Sequence, residues 1–124
     1  MPEGLSLDSI SKKIESFTIE RNWNQFHSIK NLVGSVSIEA AELCETIQWI
    51  DPSVEDLSAN PILLNNIAEE LADVMIYCMR LCSVLELDLL EIINDKIEVN
   101  SANYPVKKSK GTSKKYTELS SDKS

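Results

Sequence analysis

Apolar residues recur at intervals of three and four along most of the chain, the spacing that places them on one face of an α-helix. The first such run covers residues 6–21, with Ser6 or Asp8 positioned as its N-cap. A polar and aromatic segment, 22–28, interrupts the pattern and ends in a serine that can cap a second helix. The second apolar run then predicts a helix to about Ile50.

Two further helices follow a polar connection that begins at 51–53, where aspartate and proline end the second run. Asn60 followed by proline is a strong helix start, and the third helix is predicted to run to about Glu86. Asp88, with a glutamate three residues later, predicts the cap of a fourth helix that ends at Pro105. No β pattern and no internal repeat interrupts this order. The pattern predicts an all-α protein with a four-helix bundle as its protomer.

The length of the chain and its composition set the domain organisation. At 124 residues the chain fits one domain, and we predict a helical domain over 1–105 that carries any functional site. The remainder, 106–124, is rich in lysine and serine with few apolar anchors, which predicts a basic, flexible tail. Apolar residues on the third helix cover more than one face, more than one small protomer can bury. We therefore expect a homo-oligomer.

The overall charge excludes several classes of function. A net charge of -8 argues against coating a nucleic-acid polymer or an acidic membrane surface, because such partners are bound by clustered lysine and arginine. The first ten residues do not resemble a secretory signal, and no apolar run is long enough to span a membrane. Three cysteines, an odd number within apolar helical patterns, are interpreted as buried thiols. These features together predict a cytoplasmic protein.

Two pairs of carboxylates carry the candidate chemistry. Glu39 and Glu42 lie three residues apart on the second helix, and Glu70 and Asp73 repeat that spacing on the third. Tyr77 lies one turn further along the same face as Asp73. If the two faces oppose each other, four carboxylates converge, and hard cations would be needed to offset their repulsion. Ligation by oxygen alone favours Mg²⁺ or Mn²⁺.

Other interpretations of these acids remain open at the level of sequence. Paired carboxylates are common on solvent-exposed helix faces, although these pairs stand among apolar residues rather than beside lysine or arginine. A di-iron bundle requires glutamate and histidine three residues apart, and the single histidine, His27, follows Asn24 instead. A non-catalytic helical interaction module is the third alternative, with its acids facing water and its aromatic residues in an interface.

The acidic pairs and their surroundings resemble the MazG-type nucleotide pyrophosphohydrolases, and within them the dCTP pyrophosphatase-like branch. The resemblance spans about residues 20–119. Its motifs are 21–27 (RNWNQFH), 30–32 (KNL), 39–43 (EAAEL), 48–49 (QW), 69–74 (EELADV), 104–105 (YP) and 115–119 (KYTEL).

This resemblance implies an activity, a cofactor and a set of site residues. It implies hydrolysis of nucleoside triphosphates to monophosphate and pyrophosphate, with Mg²⁺ held by Glu39, Glu42, Glu70 and Asp73, and it favours dCTP among deoxynucleotides. Family members assemble as dimers that pair into tetramers. We expect Glu42 or Glu45 to accept the proton of the attacking water. The expected nucleotide pocket consists of Trp23, Asn24, Gln25, Phe26, His27, Trp49 and Tyr77.

Several of these positions have a structural alternative or depart from the family pattern. Trp49 and Tyr77 also fit plain helix packing, and His27 fits a hydrogen-bonding role within its loop. Ile14 stands where the dCTP pyrophosphatase pattern has a histidine, and Asn103 stands where a basic residue precedes Tyr-Pro. Asn24 likewise replaces an acidic residue. Because Ile14 cannot hydrogen-bond a base, we expect dCTP to be favoured with relaxed discrimination.

Overall fold

The structure, a computed structural model, describes residues 4–119, and the regular secondary structure within that range is helical, without a β-strand. A 3₁₀ turn, Asn24–Phe26, separates the first two helices. The helices are α1 (Leu7–Glu20), α2 (Ile29–Glu45), α3 (Val54–Ser58), α4 (Pro61–Leu85), α5 (Leu89–Asn103), α6 (Val106–Ser109) and α7 (Tyr116–Leu119). The predicted all-α class is confirmed.

Side-chain caps begin the main helices where the sequence predicts them. Ser6 accepts a hydrogen bond from the backbone N–H of Ser9 at the start of α1, and Ser28 does the same for Asn31 in α2. Asn60 caps α4 through the N–H of Leu63, with Pro61 in the first turn, where its missing N–H costs nothing. Asp88 caps α5 in the same way. These caps satisfy backbone donors that a helix start leaves unpaired.

The second helix ends earlier than its apolar pattern predicts. It stops at Glu45 rather than near Ile50. The Thr46 hydroxyl donates to the carbonyl of Leu43 at 2.7 Å, and the following backbone N–H groups bond three residues back instead of four. Residues 46–49 therefore form tight turns, although apolar residues continue the helical spacing.

The polar connection contains a helix that the sequence analysis did not predict. Ser53 and Asp56 form a capping box, in which each side chain accepts from the backbone N–H of the other. This box begins the five-residue helix α3. The box residues were visible in the sequence, but a helix of one and a half turns carries no readable apolar period.

Helix α4 is the central element, since it contacts α1, α2 and α3, and its contact with α2 is the most extensive. Leu32 of α2 is 1% exposed. In α1, Thr18 is buried and its hydroxyl donates to the carbonyl of Ile14, while Ser11 hydrogen-bonds Ser83 of α4. This packing sets the α2 and α4 faces that carry the predicted carboxylates against each other.

The chain divides into two compact units, one ending at Leu87 and one beginning at Asp88. In the second unit, Tyr104 makes an edge contact with Tyr116 at 6.0 Å between ring centroids, and Leu119 is buried. The basic segment thus contains two short helices, α6 and α7. The expected division into a domain over 1–105 and a flexible tail over 106–124 stays a prediction, and the last five residues lie outside the described range.

Many large apolar side chains of the described residues remain exposed. Examples with more than half of their surface accessible are Ile38, Ile62, Leu90 and Ile97. The interpretation of the cysteines as buried is wrong for Cys44, which is exposed, and Cys78 and Cys82 are half-buried. Across residues 4–119, no helix is both long enough and apolar enough to span a membrane.

Candidate active site

Carboxylates from α2 and α4 converge where the two helices face each other. One oxygen from each of Glu39, Glu70 and Asp73 lies within 4.8 Å of the others. Glu42 lies beside them, since its carboxyl group raises the pKa of both Glu39 and Glu70 and it lines one cleft with Glu70. The structure therefore brings three of the four residues predicted as metal ligands within reach of one ion, with Glu42 beside them. The helical spacing explains this convergence, because each helix contributes residues three positions apart.

Two carboxyl groups of this cluster, those of Glu39 and Glu70, have raised pKa values. Burial raises the pKa of Glu39 to about 7, assisted by its hydrogen bond with Glu42 and by the charges of Glu42, Asp73 and Glu70. The pKa of Glu70 is raised for the same reasons, burial first and then Glu42. In addition, Glu39 Oε2 and Glu70 Oε2 are buried without a hydrogen-bond partner. Buried carboxylate oxygens without donors favour a cation in their place.

An open cleft of about 330 Å³ lies beside the carboxylate cluster. Its walls come from the C-terminal end of α2 and the first half of α4, and the lining is polar. The residues are Glu42, Glu45, Thr46, Asn66, Glu69 and Glu70. Glu45, the second predicted catalytic residue, therefore lies at this cleft next to Glu42 and Glu70 rather than on a separate surface.

The loop before α2 is folded around a sharp backbone reversal. Asn22 adopts the left-handed conformation with φ of 53°, a region that asparagine tolerates better than most residues. Trp23 then packs edge-on against Phe17 of α1, with 5.6 Å between ring centroids. The Gln25 side chain donates to the carbonyl of Asn22, so the turn is held by its own polar groups.

A buried arginine of α4 connects this loop to the bundle. Arg80, only 9% exposed, donates from Nη2 to Asn24 Oδ1 and from Nε to His27 Nδ1 at 3.2 Å. The His27 ring also meets Tyr77 edge-on at 6.5 Å. Burial, followed by the charge of Arg80, lowers the pKa of His27. The loop and the tyrosine next to the carboxylates are therefore in contact.

Other predicted nucleotide-binding residues are not gathered at this point. Trp49 lies in the turn after α2 with 87% of its surface exposed, and Phe26 is 58% exposed. The backbone carbonyl of Phe26 accepts from the Asn31 side chain, which ties the loop to the start of α2. A substrate role for these aromatic residues stays a prediction.

Three residues that the structure places at the site or its supporting loop were not predicted from the sequence. Asn66 and Glu69 line the cleft, and Arg80 supports the loop. Arg80 follows Asp73 by seven residues and Tyr77 by three, so helical periodicity alone would have placed it on the same face. Glu69 was quoted in the motif 69–74 but was not assigned a role.

Known proteins resemble this chain over most of its length. The model of the MazG-like family matches residues 35–119. dCTP pyrophosphatase 1 of Rattus norvegicus is 35% identical over 115 residues, covering 92% of this chain and 68% of the relative. The Homo sapiens dCTP pyrophosphatase 1 is 34% identical over the same coverage. The crystal structure of a pyrophosphatase from Archaeoglobus fulgidus matches with a TM-score of 0.73 at 34% identity, covering 85% of this chain and 97% of that one.

Proposed function

The chain belongs to the MazG-like family, and on that premise we propose that it is a Mg²⁺-dependent nucleoside triphosphate pyrophosphohydrolase. It cleaves deoxynucleoside triphosphates, with dCTP favoured, to the monophosphate and pyrophosphate. The single observation that carries the proposal is the cluster of Glu39, Glu42, Glu70 and Asp73 between α2 and α4. The names of the similar proteins support the same reaction class.

The donor set of the cluster fits a hard divalent cation. All candidate ligand atoms are carboxylate oxygens, which Mg²⁺ and Mn²⁺ prefer over nitrogen or sulfur. Two of those oxygens, Glu39 Oε2 and Glu70 Oε2, are buried and unpartnered, so a cation would satisfy groups that otherwise destabilise the fold. Glu39, Glu42, Glu70 and Asp73 would hold it.

The cluster also resolves a problem of charge, because a protein with a net charge of -8 repels a triphosphate. When bound, Mg²⁺ supplies positive charge that offsets the phosphates and lowers the pKa of a water molecule. In the net reaction, the water oxygen bonds to the α-phosphorus. The bond between the α-phosphorus and the oxygen that bridges the α- and β-phosphates breaks. Pyrophosphate is the leaving group.

A carboxylate of the cleft is proposed to accept the proton of the water. Glu42 is close enough to raise the pKa of both Glu39 and Glu70, which suits a metal ligand. Glu45 lines the same cleft at the end of α2, and it is not among the groups that raise the pKa of Glu39 or Glu70. We therefore assign the general base to Glu45 and metal ligation to Glu42.

The nucleoside is proposed to lie toward the loop that contains Trp23 and His27. Tyr77 connects the two regions, because it is four residues beyond Asp73 on α4 and its ring contacts His27. Aromatic faces stack on any base, so selectivity depends on polar groups at the base edge. Ile14 offers none, which is the reason to expect dCTP to be favoured only moderately.

We further propose that the protein acts as a homo-oligomer, a tetramer or a dimer, that controls or cleans the cytoplasmic nucleotide pool. The support for assembly is the large number of exposed apolar side chains on α4 and α5, such as Ile62, Leu90 and Ile97. Monomeric proteins rarely leave extended apolar surface in water.

The nucleotide preference is tested by incubating the protein with each of the common dNTPs and NTPs in Mg²⁺ and resolving the products. We expect dCTP to give dCMP and pyrophosphate at the highest kcat/KM, with other dNTPs cleaved within about 100-fold, the discrimination that limited polar contacts supply. Purine ribonucleotides cleaved best, with dCTP untouched, would overturn the substrate assignment. Release of inorganic phosphate and dCDP would overturn the reaction itself, and no cleavage at all would favour a non-catalytic module.

A further inference from the structure

Arg80 is a buried cation that the proposed reaction does not use. It lies in the last third of α4, on the helix face of Asp73 and Tyr77, with only 9% of its surface exposed. Burying a guanidinium is costly unless its N–H groups find acceptors. The residue therefore needs a structural or functional reason for its position.

The two acceptors that Arg80 contacts are neutral groups in the loop before α2. Nη2 donates to the Asn24 side-chain oxygen, and Nε donates to His27 Nδ1 at 3.2 Å. The salt bridges found in the described range, Lys12 with Asp8 and Arg21 with Glu20, are exposed and lie elsewhere. The guanidinium is thus directed at the loop rather than at the acidic cluster.

Arg80 holds both ends of the 3₁₀ turn at once. Asn24 is the first residue of that turn, and its backbone carbonyl accepts from the N–H of His27 at 3.1 Å. The two side chains that Arg80 binds are therefore already linked through the backbone. The planar fork of a guanidinium suits two acceptors at a fixed separation, whereas an ammonium group offers no such geometry.

The same contact determines where the imidazole of His27 carries its proton. A guanidinium contains only donors and stays protonated, so the nitrogen that faces it must present a lone pair. Nδ1 is that nitrogen, and the proton of the neutral ring consequently lies on Nε2. Arg80 and Tyr77 of α4 contact the ring, and neither supplies a negative charge that would favour the imidazolium.

We propose that Arg80 is a positioning residue, which docks the Asn24–His27 turn on α4 and fixes His27 as the tautomer protonated on Nε2. In this form His27 is a neutral hydrogen-bond donor toward the nucleotide. It is neither a cationic phosphate ligand nor a general base, since its free lone pair is occupied by Arg80. The part of this inference that concerns the nucleotide rests on the proposed function, whereas the tautomer does not.

The tautomer is tested directly in the wild-type protein. His27 is the single histidine of the chain, so the ¹⁵N imidazole signals of a uniformly labelled sample need no assignment. At pH 8 we expect a protonated Nε2 and an unprotonated, hydrogen-bonded Nδ1, and the lowered pKa supports the same neutral form on titration toward acid. A proton on Nδ1, or two tautomers in fast exchange as in free histidine, would overturn the proposal.

The positioning role is tested by steady-state kinetics of Arg80→Lys and Arg80→Gln, with the exposed Lys13→Gln on α1 as the matched control for losing a positive charge. Lysine retains the positive charge of Arg80 but lacks the planar guanidinium group that can donate to two acceptors at once. We expect both Arg80 variants to show a mixed tautomer population and a KM for dCTP about tenfold higher, because two side chains must be ordered on binding. We expect kcat to change less than about twofold and the Mg²⁺ midpoint to stay unchanged.

The outcomes are separable from a failure of the proposed function. An Arg80→Lys protein with wild-type circular dichroism, tautomer and KM would overturn the positioning role. A fall in kcat with unchanged KM would do the same, because it would place Arg80 in the chemical step. If neither variant folds, the wild-type spectrum still decides the tautomer. Absence of any nucleotide cleavage by the wild type would defeat the proposed function while leaving the tautomer test intact.

Discussion

Two carboxyl groups of the site, those of Glu39 and Glu70, destabilise the folded protein when no cation is bound. Glu39 has its pKa raised to about 7 by burial and by its acidic neighbours, and Glu70 is shifted in the same direction. A raised carboxylate pKa means that the folded state binds the proton more tightly than the unfolded state does. The unpartnered oxygens of both residues add to this cost. The site is thus destabilised at neutral pH in a way that a cation would relieve.

The dependence of stability on pH follows from that shift. Between the ordinary value of 4.5 and about 7, the folded state retains a proton on Glu39 that the unfolded state has lost. Stability contributed by this group is therefore full below pH 4.5 and is lost as the pH rises toward 7. In EDTA, we expect Glu39→Gln to be more stable than the wild type by a margin that grows across this range and then levels off.

Urea unfolding at a series of pH values measures that margin, with Glu15→Gln, an exposed change on α1, as the control. The lowered pKa of His27 has the opposite effect on the free energy of unfolding, which it raises as the pH rises toward 6.5. Because this effect is common to the wild type and the variant, the difference between the two proteins isolates Glu39. Saturating Mg²⁺ should reverse the order of stability, since only the wild type retains its full ligand set. A margin that is constant with pH would contradict the origin assigned to the shift.

The sequence predicts the start of a helix, or the position of a side chain on it, where a single physical cause determines that feature. The N-caps at Ser6, Ser28 and Asn60 were predicted because few residue types can satisfy helix-start donors. The convergence of carboxylates from α2 and α4 was predicted because a spacing of three residues fixes neighbouring positions on a helix. The end of α2 at Glu45 was not predicted. The hydroxyl of Thr46 donates to the carbonyl of Leu43 where the helix ends, although the apolar spacing continues beyond that point. Arg80 was missed because its partners are distant in sequence and known only once the helices pack.

The early end of α2 places Glu45 in the last helical position, at the cleft that α2 and α4 form. We expect Glu45→Gln to lower kcat for dCTP by about 100-fold, the contribution of a positioned general base, while the Mg²⁺ midpoint stays the same. Glu42→Gln should instead raise the Mg²⁺ midpoint. Stopped-flow or coupled assays of pyrophosphate release across a Mg²⁺ series distinguish the two. A Glu45→Gln enzyme with unchanged kcat would exclude Glu45 as the base.

The whole molecule leaves more apolar surface in water than a stable monomer does. Only three apolar residues of the described range are buried, Leu32, Met79 and Leu119. A core this small cannot offset the conformational entropy of folding a chain of this length. Much of the remaining apolar surface is therefore expected to be covered by further copies of the same chain.

Sedimentation velocity measures the predicted assembly. At micromolar concentration we expect a dimer or tetramer, together with a thermal midpoint that rises with protein concentration, because association stabilises only the folded protomer. The acidic site variant Glu39→Gln serves as a control that should leave the sedimentation coefficient unchanged. A monomer with a concentration-independent midpoint would contradict the expected assembly.

The central claim is that carboxylates from α2 and α4 hold the Mg²⁺ on which nucleotide cleavage depends. It is tested most directly by the rate of dCTP conversion to dCMP and pyrophosphate as Mg²⁺ is titrated, in the wild type, Glu39→Gln and Asp73→Asn. We predict no turnover without divalent cation, and losses of about 100-fold or more in both variants at limiting Mg²⁺, since even partners of metal ligands contribute about 10- to 100-fold. Circular dichroism confirms that the variants remain helical. Turnover near the wild-type rate in both folded variants at limiting Mg²⁺ would contradict the account.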